Sequence, residues 1–360
     1  MAVEIGTASN ARDLVSKLEK FLTTNPELVQ ANQAWEVIKD SDGDKVVDVD
    51  ETYDDMYDEE EDVKFGWVYR RRFIGHGLDG QDTIVVPMAM YVNEKYKITS
   101  LCAWYATQND IAKEISTYFA KVKFGNIFTA IPLKNESMNY WFVANGRRFI
   151  IVVKVEQYYL SMYCGFMLQF GTDLENTYPM YIGGSHNNNN YARIGDEDAG
   201  TPIHEINFDY GGFHDPFTKD DTAGSQGDIS SCFCNTPNGV VAMIAKSTES
   251  LGGGRDTEKY TSGYILPYRY ITTVSGLHVI YPIEITAVYS LPATINTHVG
   301  HWREASTVGW LQGAYFVSGL NNTPEKELVI GDKRYLCFPS MQNSDSDSSS
   351  YNRWLALLME

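Results

Sequence analysis

The residues best spaced for chemistry lie in "DSDGDKVVDVDE", Asp40 to Glu51. Set against the calcium loop of a helix–loop–helix site, carboxylates fall at positions 1, 3, 5, 9 and 12. These are Asp40, Asp42, Asp44, Asp48 and Glu51, with Val47 as the aliphatic at position 8. Such spacing wraps oxygen ligands around a hard divalent cation. Two features oppose it. Lys45 stands at position 6, where the loop needs glycine, although Gly43 lies two residues earlier. The following "TYDDMYDEEED" also lacks the periodic apolar residues of an exiting helix. The favoured reading is a solvated acidic loop or hairpin, with these five residues as calcium candidates only.

Other constellations are thinner. His298, His301 and Glu304 in "THVGHWRE" would share one face of a helix and could hold a metal, but Pro292 and Gly300 argue for a loop. His214 beside Asp215 in "GGFHDP" could join Ser161 or Ser225 in a triad. No G-x-S-x-G elbow supports that, so a turn-capping Asp and a surface His are favoured. "LGGGRD" lacks the flanking strand and helix of a nucleotide cradle. Tyr158, Tyr159, Tyr163, Tyr178 and Tyr181 could form a sugar platform, but residues of this kind are more often core or subunit interface. No catalytic residue, bound metal or cofactor is expected.

The charge distribution narrows the partners. The formal net charge is −18, and residues 40–62 hold 13 Asp and Glu against one Lys, which is −12 of it. An acidic field of this kind repels nucleic acid. Arg70, Arg71 and Arg72 are adjacent, and in a regular strand they alternate faces and form no patch. The apolar runs are short pieces such as "FIIVV", far below the ~20 residues of a spanning helix, so no membrane insertion is expected. "MAVEIGTASN" has neither the basic start nor the apolar centre of a secretory signal. Five scattered Cys (102, 164, 232, 234 and 337) read as small reduced core residues, and the C-x-C at 232 and 234 has no second pair to complete a zinc site.

The elements that would position these groups are mostly strands. With 360 residues, 43% of them hydrophobic, there is material for a large core. Residues 1–35 read as a helical arm. Leu14, Val15, Leu18, Phe21 and Leu22 recur at helical spacing, Ser9 or Asn10 can cap, and Asn25-Pro26-Glu27 ends one helix and starts another. Its apolar stripe must pack on the body of this chain or on a neighbouring copy. Residues 36–64 form the acidic loop or hairpin, and residues 65–360 a β-rich body, with a split near 190–200 as an option. A second helical piece is expected over 110–120. The fold class is mainly β, α+β at the margin: an antiparallel sandwich or barrel with a short N-terminal helical segment.

The clearest hairpin lies in "MNYWFVANGRRFIIVVKVEQYYLSMYCGFMLQFG", residues 138–171. Asn145-Gly146 suits a type I′ turn, whose central residues both need positive φ. Trp141 and Phe149 sit on its two arms. Both arms are apolar on both pleat faces, so the hairpin should be central and covered on each side. A third strand follows, in which Gly165 marks a bulge or a close approach.

This block resembles a family of tailed-bacteriophage virion structural proteins. The matching residues are Trp141 to Ile150, Gly165-Phe166, Tyr178-Pro179 and Ile182 to Ser185. The opening helix is similar at Leu18, Phe21, Leu22, Thr23 and Ala34-Trp35. The closing strands are similar at Gly313, Tyr315, Val317, Ser318, Gly319, Gly331, Tyr335, Trp354, Ala356 and Leu357. Residues 40–62 and 190–300 depart from the pattern. The resemblance implies a non-enzymatic subunit assembling in several copies in the tail, at the baseplate or tail tip. Its partners would be copies of itself and other virion tail proteins, and its place the virion, assembled in the host cytoplasm. A head–neck connector component and a module binding a host surface glycan are the alternatives.

Overall fold

A computed structural model describes residues 1–45, 47–48, 65–93, 98–113, 128–171, 176–185, 232–236, 239–243, 262–264, 280–290, 303–319, 321–339 and 354–360. The chain opens with β1 (Ala2–Ala8), α1 (Ala11–Thr24), α2 (Pro26–Gln30), β2 (Glu36–Lys39) and β3 (Val47–Asp48). There follow β4 (Phe65–Gly75), β5 (Ile84–Asn93), β6 (Ile98–Trp104) and β7 (Phe128–Lys134). Next come β8 (Met138–Asn145), β9 (Arg148–Val155), β10 (Tyr158–Phe166), β11 (Leu168–Gln169) and β12 (Met180–Gly184). Then β13 (Cys232–Thr236), β14 (Gly239–Met243), β15 (Ser262–Tyr264), β16 (Ile280–Ser290) and β17 (Arg303–Val317). The last are β18 (Glu327–Ile330), β19 (Lys333–Pro339) and β20 (Trp354–Leu358).

Among the described residues these strands form three antiparallel sheets, so the protein is mainly β. The first runs β1-β8-β9-β10-β12-β13-β14, the second β15-β16-β17-β20-β19-β18 and the third β2-β4-β5-β6-β7. The first sheet is the middle layer. Phe142, Phe149, Ile151, Val153 and Met162 join one core with α1 and the third sheet. Trp141, Val143, Ile150, Val152 and Tyr163, one residue out of phase, join another core with the second sheet. Period-2 alternation with both phases apolar produces this, and it makes the hairpin central. Each large apolar side chain so buried contributes roughly 1.5–3 kcal/mol.

The helical segment packs on this chain. Asn10 accepts the Asp13 N–H at 2.9 Å, and Asn25 accepts that of Glu27 at 2.9 Å, capping α1 and α2. Leu14, Val15, Leu18, Phe21 and Leu22 are buried, with the Phe21 ring 5.7 Å from Phe142. Trp35 stands edge-on to Phe149 at 5.2 Å, and its indole N–H donates to Asn145 O at 2.9 Å. The stripe that could have served a neighbour is therefore covered by the chain's own sheet. The second expected helix shows a 3-10 turn at Gln108–Asp110, and residues 114–120 lie outside the described set.

The hairpin is present, but its turn differs from the expected type. Asn145 pairs with Arg148, so Gly146 and Arg147 are the two central residues. Neither Asn145 nor Gly146 has a positive φ. Asn145 instead stands one place earlier and accepts the N–H groups of Arg147 at 2.8 Å and Arg148 at 3.1 Å through its side chain. Glycine is needed at 146 because Gly77 crowds it. The Gly77 N–H donates to Gly146 O at 2.9 Å, and a Cβ on Gly146 would lie 1.8 Å from Gly77 O. Gly165 is the expected close approach: at φ +135 its missing Cβ would lie 2.3 Å from Arg147 O.

Candidate functional site

The strongest gathering of charged side chains is built where β4 departs from a regular strand. Val68 pairs with Met90 and Arg71 with Met88, so one extra residue is inserted, and Tyr69 takes φ +58. This bulge breaks the face alternation expected of Arg70, Arg71 and Arg72. All three are buried, and they gather around the start of the acidic segment, Asp40 to Lys45.

Asp40 is 5% exposed and lies between two guanidinium groups, 3.7 Å from Arg70 Nε and 3.4 Å from Arg72 Nη2. Arg70 also donates to the carbonyls of Asp42 at 2.6 Å, Lys45 at 3.0 Å and Trp67 at 3.1 Å. Arg72 donates to Lys113 O. Arg71 donates to Glu19 Oε2 at 3.1 Å and to Asp44 Oδ1, and lies 4.3 Å from the Tyr69 ring centre. The Tyr69 hydroxyl, 2.8 Å from Val15 O and 3.0 Å from Glu19 Oε2, shares its one proton between them. The result is a charge network joining α1, the acidic turn and the third sheet.

The electrostatics follow from these contacts. Burial alone would raise the Glu19 carboxyl, but hydrogen bonds from Lys39, Arg71 and Tyr69 outweigh it and hold it below the usual carboxylate range. The Arg71 hydrogen bond holds Asp44 low, and that from Lys45 holds Asp42 low. Burial pushes the Tyr69 phenol far above its ordinary value, with Glu19 adding to the effect. Each group is thereby held in its usual charge state. The network fastens charge and does not present a poised acid or base.

The calcium candidates are now placed. Asp40 faces Arg70 and Arg72, Asp42 pairs with Lys45 at 2.7 Å, and Asp44 pairs with Arg71. Asp48 lies on β3 opposite Gly66, and Glu51 lies outside the described residues. The three described carboxylates each meet a cation of the chain and do not converge. Among the described residues no three His, Cys, Asp or Glu side chains gather as a metal site requires.

The other sequence candidates do not assemble. Glu304 lies on β17 opposite Tyr289, while His214, Asp215, Ser225, His298 and His301 are outside the described residues. Ser161 is buried inside the first sheet. Tyr159, Tyr163, Tyr178 and Tyr181 are buried core side chains and Tyr158 is half-buried against the first core, so these five form no platform of exposed rings. Cys102, Cys164, Cys234 and Cys337 are buried, and burial pushes the thiols of Cys102 and Cys164 well up and that of Cys337 to about 12. No described helix is long and apolar enough to cross a membrane.

Sequence reasoning missed the arginine network. The bulge that aims it depends on Tyr69 adopting a left-handed conformation that tyrosine rarely favours. The one available signal was coincidence: three arginines on a strand following a run of acids. Comparison with protein-family models and with curated proteins finds no match to the chain.

Proposed function

We propose that this protein is a non-enzymatic structural subunit of a tailed-bacteriophage virion, assembled in several copies in the tail at the baseplate or tail tip. The observation that carries this reading is where the residues of resemblance lie. Trp141 to Ile150, Gly165-Phe166 and Ile182 to Ser185 form adjacent strands of the middle sheet, and their side chains feed both cores. A framework block of this kind suits a protein whose work is to hold shape under assembly contacts, because rigid elements keep an interface preorganised. The charged groups support the same reading, since Glu19, Asp40, Asp44 and the three arginines fasten elements together. Symmetry in a tail would multiply each modest contact between copies. Cryo-electron microscopy of the purified parent particle tests it. Density for this fold at a repeated tail position is expected, and absence of the chain from purified virions overturns it.

A further inference from the structure

Arg148, the first residue of β9, is a buried cation that no carboxylate among the described residues neutralises. It is 6% exposed. Its Nη1 donates to Gln312 Oε1 at 2.7 Å, a neutral amide, while its buried Nε makes no hydrogen bond. Burial pushes the guanidinium down from its ordinary value, and the Tyr163 and Tyr315 phenols act against that. Arginine nevertheless stays protonated in proteins, so the charge is real. An isolated buried charge is among the costliest features a fold can carry, and such charges are normally met by an opposite one.

The orphaned Nε lies toward β17, beside a glycine. Arg148 shares its strand face with Ile150 and Val152, toward the second sheet. Opposite it β17 bulges at Gly313, φ +86, where a Cβ would stand 3.8 Å from Arg148 Nε. With Nη1 engaged, Nε–H and Nη2–H remain as a two-pronged edge, the geometry that accepts both oxygens of a carboxylate. One unpaired positive charge matches one carboxylate, whereas a phosphate dianion would leave a negative charge behind in an apolar seam.

We propose that the Nε/Nη2 edge of Arg148 is a carboxylate-binding site at the seam between the first and second sheets, filled by a carboxylate that the described residues do not supply. That carboxylate comes either from a small organic acid or from an Asp or Glu side chain of another copy of this acidic protein. Thermal unfolding of the full chain tests it, with sodium acetate exchanged for sodium chloride at constant ionic strength. The wild-type Tm should rise by several degrees, and that of Arg148→Met should not respond. Sedimentation over a range of protein concentration distinguishes the sources. If another copy supplies the group, the wild type associates, acetate dissociates it and Arg148→Met stays monomeric. Should Arg148→Met fail to fold, Arg148→Lys keeps the charge but loses the two-pronged edge, and its acetate shift should fall several-fold. Equal acetate responses in wild type and variant, or no response together with association independent of Arg148, overturns the proposal.

Discussion

Arg70–Arg72 on β4 and Arg147–Arg148 on β9 are both runs of adjacent arginine, and they reach opposite electrostatic ends. The β4 run meets anions of its own chain: Asp40, Asp44, Glu19 and five backbone carbonyls face it, and only the buried Nε of Arg72 makes no hydrogen bond. In the β9 run Arg147 pairs with Asp82 at 2.7 Å, while Arg148 has one neutral amide. The contrast teaches that burying arginine is tolerable when the chain brings its own anions, and that β4 does so by bulging toward an acidic turn. β9 is held straight by pairing on both sides, with β8 and β10, so its arginine remains where the pleat points it.

The largest effect should come from breaking the charge-paired side. Asp40→Asn leaves Arg70 and Arg72 buried without their shared carboxylate, so a loss of about 3–5 kcal/mol in urea unfolding is expected. Arg148→Met should act with the opposite sign. Without added carboxylate it removes an unpaired charge from an apolar seam, and the chain should gain about 1–3 kcal/mol in the same assay. A loss there instead would mean that Arg148 is already compensated within the isolated protein.

Smaller effects belong to the half-exposed members. Glu19 is held below its unfolded pKa, so its contribution is complete above roughly pH 4.3 and is lost as the pH falls through the folded value. The urea midpoint should drop across that window, and Glu19→Gln should flatten the drop. Asp44 reaches Arg71 from a side chain that is 73% exposed, so solvent screens the pair. Asp44→Asn should cost less than about 1 kcal/mol, and less in high salt. A cost equal to that of Asp40→Asn would erase the distinction between buried and exposed partners.

Much of the scaffold could be read in advance. The Asn10 cap, the Asn25-Pro26-Glu27 junction, the hairpin of β8 and β9 and its two-sided core depend on neighbours within a few positions. Local steric rules and period-2 burial suffice for those. The strand β1 was not legible: "AVEIGTA" acquires its role by pairing with β8, more than 130 residues away, with Ile5 opposite Trp141. Nor does β17 show as one strand in the sequence, because Gly309 and Gly313 break the pattern that pairing with β16 restores. The turn type failed for a similar reason. Asn145-Gly146 alone prefers one geometry, and the Gly77 backbone pressing on Gly146 accompanies another.

Composition and periodicity by themselves determined that this is an antiparallel β protein with a capped N-terminal helix and a doubly apolar central hairpin. Those properties follow from side-chain spacing along one strand or one helix, where few partners compete. Only the tertiary structure decided which charges meet. Tyr69 at positive φ turns three arginines onto one acidic turn, and a straight β9 leaves Arg148 facing an apolar seam. Such pairings depend on bulges and long-range register, and a shift of one residue reverses every face they present.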